Sequence, residues 1–233
     1  MDWIDEIATH CGMELPEDFV RLFRAGMLDW MGGYPDPLPE GVDWKRDIYP
    51  KLHAHPPALF HSGGDLVMLS PEKIVAYRPP QEWDTNAFTI VPFAKGDEGN
   101  LYALFRTQEH PDETWIAMVW EDEDEAEILA RSMNDFIFRR MVEAADEADR
   151  ETIDREYRGQ DPIEAYRADL MRDLETIRPF LPSAYVEVLE ALYRAPVATT
   201  MVSYAFEGPL SYASIVDTYL RFSFWDASID LSR

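Results

Sequence analysis

Cysteine is almost absent from this sequence: Cys11 is the single one among 233 residues, so no intrachain disulfide can form and a reducing compartment is the expected home. Long apolar runs are absent too. No stretch approaches the roughly 20 apolar residues that a membrane helix needs. The opening MDWIDEIATHCGMELPEDF carries acids where a secretory signal would carry bases, and a cytoplasmic location is expected. Positive charge is scarce, since 21 Lys and Arg stand against 45 Asp and Glu for a net charge of -24. That lies far beyond the roughly 2 to 8 units typical of a small soluble domain. Such a field repels nucleic acid and anionic membrane, excluding both as partners, and speeds encounter with basic proteins. Also missing are a glycine-rich phosphate loop, a histidine pair at zinc-protease spacing and a serine at a nucleophile elbow. No catalytic residue and no cofactor is expected, and the chain does not read as an enzyme.

What is present is core material. Hydrophobic residues make up 46% and aromatic residues 13%, too much for an acidic disordered polymer. Trp3, Ile4, Ile7, Ala8 and Cys11 form a helical stripe that Gly12 stops. Leu15-Pro16-Glu17-Asp18 opens a second helix, because proline and acids suit a helix start. The proline-rich stretch from Tyr34 to Pro57 reads as a long loop. Asp65 to Leu69 reads as a strand, and Ser70-Pro71-Glu72 as the capped start of a short helix through Tyr77. Strands are expected at Phe88 to Phe93, Leu101 to Arg106 and Thr114 to Trp120, with turn-rich connections too short for parallel crossovers. The economical fold class is α+β, an antiparallel meander sheet packed by helices.

Beyond about residue 145 the composition becomes charged and helical. Asp161-Pro162 starts a helix with Ile163, Tyr166, Leu170, Leu174 and Ile177 inward, and Leu181-Pro182 starts another. Thr199 to Phe206 reads as a strand and Ser211 to Phe222 as a last helix. The expected organisation is an α+β domain over residues 1–145 and a mainly helical extension over 146–233 docked on it.

Three groupings bear on chemistry. His53, His55 and His61 place imidazoles close in sequence, but Pro56-Pro57 breaks a strand there and no nearby carboxylate completes a ligand set. They read as loop histidines, and no metal is expected. Cys11 beside His10 is no thiol pair, because adjacent helical residues point about 100° apart, and it reads as structural. Glu121-Asp122-Glu123-Asp124-Glu125-Ala126-Glu127 reads as an acidic ridge entering the next helix. A helix start uses one or two acids; the excess suits a binding surface. Trp115 and Trp120 differ in strand parity. Either both sheet faces are covered or Trp120 is a partly exposed anchor. Trp83, in the loop Gln81-Glu82-Trp83-Asp84, is a second candidate anchor.

The order of these pieces resembles the SUKH superfamily. The resemblance rests on Leu15-Pro16-Glu17-Asp18-Phe19 followed by Gly32-Gly33, on Leu69-Ser70-Pro71-Glu72-Lys73-Ile74, on Ile90 through Asn100, and on Trp115 to Trp120 followed by Ala130, Ser132 and Phe136. Gly32-Gly33 stands where an asparagine-glycine is usual, and roughly 85 residues follow the region of resemblance, which spans about 5 to 145. The resemblance implies an immunity protein that neutralises one cognate toxin, secreted or contact-delivered, as in polymorphic toxin and type VI secretion systems. With the charge, it points to a basic toxin, such as a nuclease, held by occlusion of its active site. The expected partner-binding residues are Trp83, Asp84, Asp97, Glu98, Trp120, Glu121, Asp122, Glu123, Asp124 and Glu125. The alternative is a regulatory or scaffold module without a toxin partner.

Overall fold

A computed structural model describes residues 2–120, 122–146 and 148–232. In chain order its elements are α1 (Trp3–Cys11), α2 (Glu17–Arg24), a π-helical segment (Trp44–Ile48) leading into α3 (Tyr49–Ala54), β1 (Val67–Met68), α4 (Pro71–Ala76), β2 (Phe88–Lys95), β3 (Leu101–Thr107), β4 (Trp115–Trp120), β5 (Glu125–Ala130) and α5 (Met133–Asp146). There follow β6 (Ala148–Asp149), α6 (Arg150–Glu156), α7 (Pro162–Ile177), α8 (Ser183–Tyr193), β7 (Val197–Thr199), β8 (Ser203–Phe206), α9 (Tyr212–Ile215), a π-helical segment (Val216–Leu220) and β9 (Ser228–Asp230).

Local signals act where the sequence places them. Asp2 accepts from the Ile4 amide at 3.0 Å to cap α1, and Gly12, at φ 65, closes it in the left-handed conformation that glycine adopts without a Cβ penalty. Ser70 caps α4, with Pro71 in the first turn. Asp161 caps α7 in the same way. Four expectations give way to tertiary context. The stretch from Tyr34 to Pro57 is not all loop, because it holds the first π-helical segment and α3. The single strand expected from Thr199 to Phe206 is instead the end of β7, a turn and β8, the second half of a hairpin that begins at Val197. The last helix gives way to π geometry after Ile215. The acidic ridge does not enter a helix: Glu125–Ala130 forms β5, which pairs with β4 from Trp120↔Glu125 to Ile116↔Ala130. Its first four residues alternate, with Ala126 and Ile128 buried and Glu125 and Glu127 half-exposed, which is strand periodicity. Pairing also satisfies the amides that β4 would otherwise present at an edge.

Compactness divides the chain elsewhere than the boundary expected at 145. One unit comprises Met1–Leu52, Asp65–Phe136 and Phe222–Arg233, the other His53–Gly64 and Ile137–Arg221. The division falls inside α5, so a composition shift in the sequence does not mark it.

The first unit holds a six-stranded sheet in the order β1-β2-β3-β4-β5-β9, antiparallel at every pairing. On one face Phe93 meets Phe136 at 5.6 Å between ring centroids and Phe19 at 6.3 Å, and Tyr102 meets Phe136 at 5.5 Å. The other face carries Phe88, Phe105, Trp115, Val119 and Ile128, covered by Trp83 and by the returning segment with Phe222, Phe224, Ile229 and Leu231. Phe224 sits 4.5 Å from the Trp115 ring. Both faces are therefore dry. The end of the chain supplies β9 to this sheet.

The second unit is built from α6, α7, α8 and α9 with the small sheet β6-β8-β7. Phe138 stacks on Tyr185 at 4.0 Å. The buried hydroxyl of Tyr193 donates to the Met141 carbonyl, and that of Tyr166 to the Ala144 carbonyl, each at 2.8 Å. Arg167 lies over the Phe206 ring at 5.2 Å and donates to the Ala195 carbonyl.

Asp124 closes the β4–β5 turn. Its φ is 52, a region that asparagine and aspartate tolerate better than most residues. Its carboxylate accepts from Trp83 Nε1 at 2.6 Å and its carbonyl from the Leu231 amide at 2.8 Å. Asp124→Ala should therefore lower unfolding free energy by about 1–3 kcal/mol, because it removes a bond to a charged acceptor and keeps the strained φ. Asp124→Asn should cost well under half of that. Urea denaturation of the two variants checks this; equal stabilities would show that the Trp83 bond contributes nothing.

Candidate functional site

Hairpin connectivity decides where the acids go. Because β2, β3, β4 and β5 follow one another antiparallel, the β2–β3 turn and the β4–β5 turn fall at the same end of the sheet. Asp97 and Glu98 project from the first turn and Asp122 and Glu123 from the second, all four exposed. Glu125 starts β5 opposite Asp230 of β9. Asp65 precedes β1, whose Val67 pairs with Lys95, and its carboxylate approaches Gly96 closely enough that a Cβ there would meet Oδ2 at 2.8 Å. Five segments thus bring acids to one rim. Lys95 is the only cation on these strand ends and turns among the described residues. A Cβ at Gly96 would lie 2.2 Å from Asn100 Oδ1, so a larger residue there would have to displace the Asn100 side chain.

The expected binding residues divide into two groups here. Asp97, Glu98, Asp122 and Glu123 are exposed on the rim. Trp120 is half-buried and shares strand parity with Ile116 and Met118, opposite to Trp115. Asp84 is half-buried, its amide donating to Leu231 and its carboxylate accepting from the Asn86 amide at 3.1 Å. Trp83 is no surface anchor: it is 0% exposed in the core against Phe88. An indole set between polar loop residues looked available, but the returning C-terminal segment covers it. Asp124 and Glu125 are partly used by the fold, through Trp83 and through the Ser228 hydroxyl. Glu121 lies outside the described residues. Asp65 and Asp230 belong to the rim and were missed, because only strand register brings them there.

The first unit also has a cleft of about 420 Å³, lined by Trp3, Phe23, Trp30 and Tyr34 with Arg24 and Glu72 at polar positions. Nothing in the spacing of the sequence discloses this cleft.

The second unit gathers the histidines that looked like isolated loop residues. His53 and His61 meet edge to face at 5.0 Å, and His61 Nδ1 lies 3.6 Å from Asp169 Oδ2 on α7. The same Asp169 oxygen accepts from the Tyr157 hydroxyl at 2.8 Å. One helical turn on, Asp173 Oδ2 accepts from the amides of His61 and Ser62 and from the Ser62 hydroxyl, at 2.8–2.9 Å. Burial pushes the Asp173 carboxyl up to about 7 against the pull of those hydrogen bonds. Burial likewise pushes His61 down to about 4, only partly opposed by Asp169. His55 is exposed and stands apart.

No helix among the described residues is long and apolar enough to cross a membrane. The fold and its rim define an α+β domain with an antiparallel sheet, helices on one face, a strap on the other and a strongly acidic end. The chain belongs to the SMI1 / KNR4 family (SUKH-1), whose model matches residues 2–139. Members are often toxin-immunity domains and generally serve as non-catalytic immunity or binding modules. Neither the curated proteins nor the solved structures gave a match. The matched span includes Asp65 and both acidic turns; β9 and α7 lie beyond it.

The Asp173 network makes a signed prediction. A carboxyl raised from about 3.9 in the unfolded chain to about 7 contributes stability that is full below about 3.9 and is lost as pH rises through 7. Asp173→Asn keeps the acceptor oxygen and removes this loss. The stability of Asp173→Asn relative to the parent should therefore rise between pH 4 and pH 7, whereas Asp173→Ala, which strands three donors, should be less stable throughout. Denaturation across that range checks both, and a pH-independent difference for the asparagine variant would contradict the raised carboxyl.

Proposed function

We propose that this chain is an immunity protein that captures a cognate bacterial toxin in the cytoplasm, and that the acidic end of its six-stranded sheet is the capturing surface. Family membership supports an immunity or binding role. The observation that carries the surface is the convergence of Asp97, Glu98, Asp122 and Glu123 from two separate turns, with Asp230 beside them and Lys95 as the only cation in those two turns and the strand ends that flank them among the described residues. A cluster carried by two tight turns of a paired sheet is held in place before binding, so little conformational entropy is lost.

The partner of matching chemistry is a basic protein such as a nuclease, whose substrate groove is positive. Carboxylates on the rim stand in for the phosphates that such a groove binds. Their field accelerates encounter by roughly 10- to 1000-fold at low salt, and occlusion of the groove requires no covalent step. Half-buried Trp120, beside the β4–β5 turn, supplies apolar area next to the charge, the arrangement in which a few desolvated anchors sit inside a charged border.

Two measurements test this reading. Co-expression with the product of the adjacent toxin gene should protect cells; continued killing defeats it. Reversing Asp97, Glu98, Asp122 and Glu123 to lysine should slow association with that toxin by at least about tenfold at low ionic strength and flatten the dependence of the on-rate on salt. The second unit is untouched by these changes. An unchanged on-rate would move the interface off the rim.

A further inference from the structure

The cluster in the second unit brings together groups that the immunity reading does not use. One ligand-capable atom from each of His53, His61 and Asp169 lies within 4.8 Å of the others. Two donors on a tetrahedral zinc-type ion, at bonds of about 2.0–2.1 Å, stand roughly 3.4 Å apart, and His61 Nδ1 is already 3.6 Å from Asp169 Oδ2. The residues come from two parts of the chain, the excursion of residues 53–64 and helix α7, so sequence proximity does not account for the meeting.

A further observation points to a cation. The Arg172 guanidinium reaches the same place, with Nη1 3.4 Å from His53 Nε2 and paired to Asp169 Oδ1. A positive group thus already bridges a histidine and the carboxylate. Its side chain is 35% exposed, so it can withdraw toward solvent. The surroundings also resemble part of the outer support that metal ligands need: Tyr157 donates to Asp169, and Asp173 holds the His61 and Ser62 amides, which fixes the backbone that carries His61.

We propose that His53, His61 and Asp169 form a binding site for one divalent transition-metal ion of the zinc type. Two imidazoles and one carboxylate select zinc, cobalt or nickel over calcium and magnesium, which prefer all-oxygen ligands. Three protein ligands leave a fourth position to water. The ion replaces Arg172 between His53 and Asp169 and ties residues 53–64 to α7, so its binding energy adds to the stability of this unit. Toxin neutralisation stands or falls independently of this site.

The full chain, stripped with chelator, is titrated with Co2+ and followed by its visible absorption, then by displacement with Zn2+ and by thermal unfolding. One ion per chain is expected, with a rise in melting temperature in Zn2+. His53→Ala and Asp169→Asn should each weaken binding by at least about tenfold, and the asparagine still accepts from Tyr157, so that variant keeps its fold. Arg172→Ala should tighten binding. Removing His55 or His110, which lie outside the cluster, should change nothing. Absence of stoichiometric Co2+ binding by the folded chain overturns the site, as does binding that survives both His53→Ala and Asp169→Asn.

Discussion

A sheet that is apolar on both faces must be covered twice, and the first unit is organised around that requirement. The residues of β3 and β4 are buried in succession rather than alternately: Tyr102, Ala103, Leu104 and Phe105 are all nearly inaccessible, as are Trp115, Ile116 and Ala117. Helices supply one cover, through Phe19 and Phe136. The second comes from the far end of the sequence, where Phe222 to Leu231 lies across Phe105, Trp115 and Ile128. That segment also hydrogen-bonds along β5 as β9, which places backbone partners on an edge that would otherwise be open. Trp83 is enclosed as a consequence, with its indole N–H turned to Asp124.

The same antiparallel ladder sets the electrostatics. Hairpins alternate their turns between the two ends of a sheet, so every second turn shares an end. Here both acidic turns share one, and the far-separated Asp65 and Asp230 are drawn in by pairing. Such crowding raises self-repulsion in the folded state, and the fold offsets only part of it. Asp124 and Glu125 make bonds that close the turn and hold β9, whereas Asp97, Glu98, Asp122 and Glu123 stay in solvent. Because a helix dipole does not receive these charges, as it would if the ridge capped a helix, the surplus is greater than the sequence implies.

In the second unit the dominant feature is polar. Helix α7 buries Asp169 and Asp173, four residues apart, beside its apolar stripe of Leu170, Leu174 and Ile177. Carboxylates are seldom taken so far from water without partners. Amides, hydroxyls, an imidazole and a guanidinium meet these two. Periodicity identifies the stripe correctly and says nothing of the acids one position before each leucine.

Signals confined to a few residues were readable in the sequence: the glycine stop after α1, the serine and aspartate caps of α4 and α7, the strand starts at Phe88 and Leu101, and the motif order that carries the family. Their physics is local, since a cap needs one side chain and one amide nearby in sequence. What depended on distant parts of the chain was settled by tertiary structure alone. Glu125 to Ala130 became a strand because β4 and β9 were there to pair with it, Trp83 went inside because the C-terminal segment covered it, and His53 and His61 met Asp169 because α7 packs on them. Burial and pairing of this kind are nonlocal, and no window of sequence contains both partners.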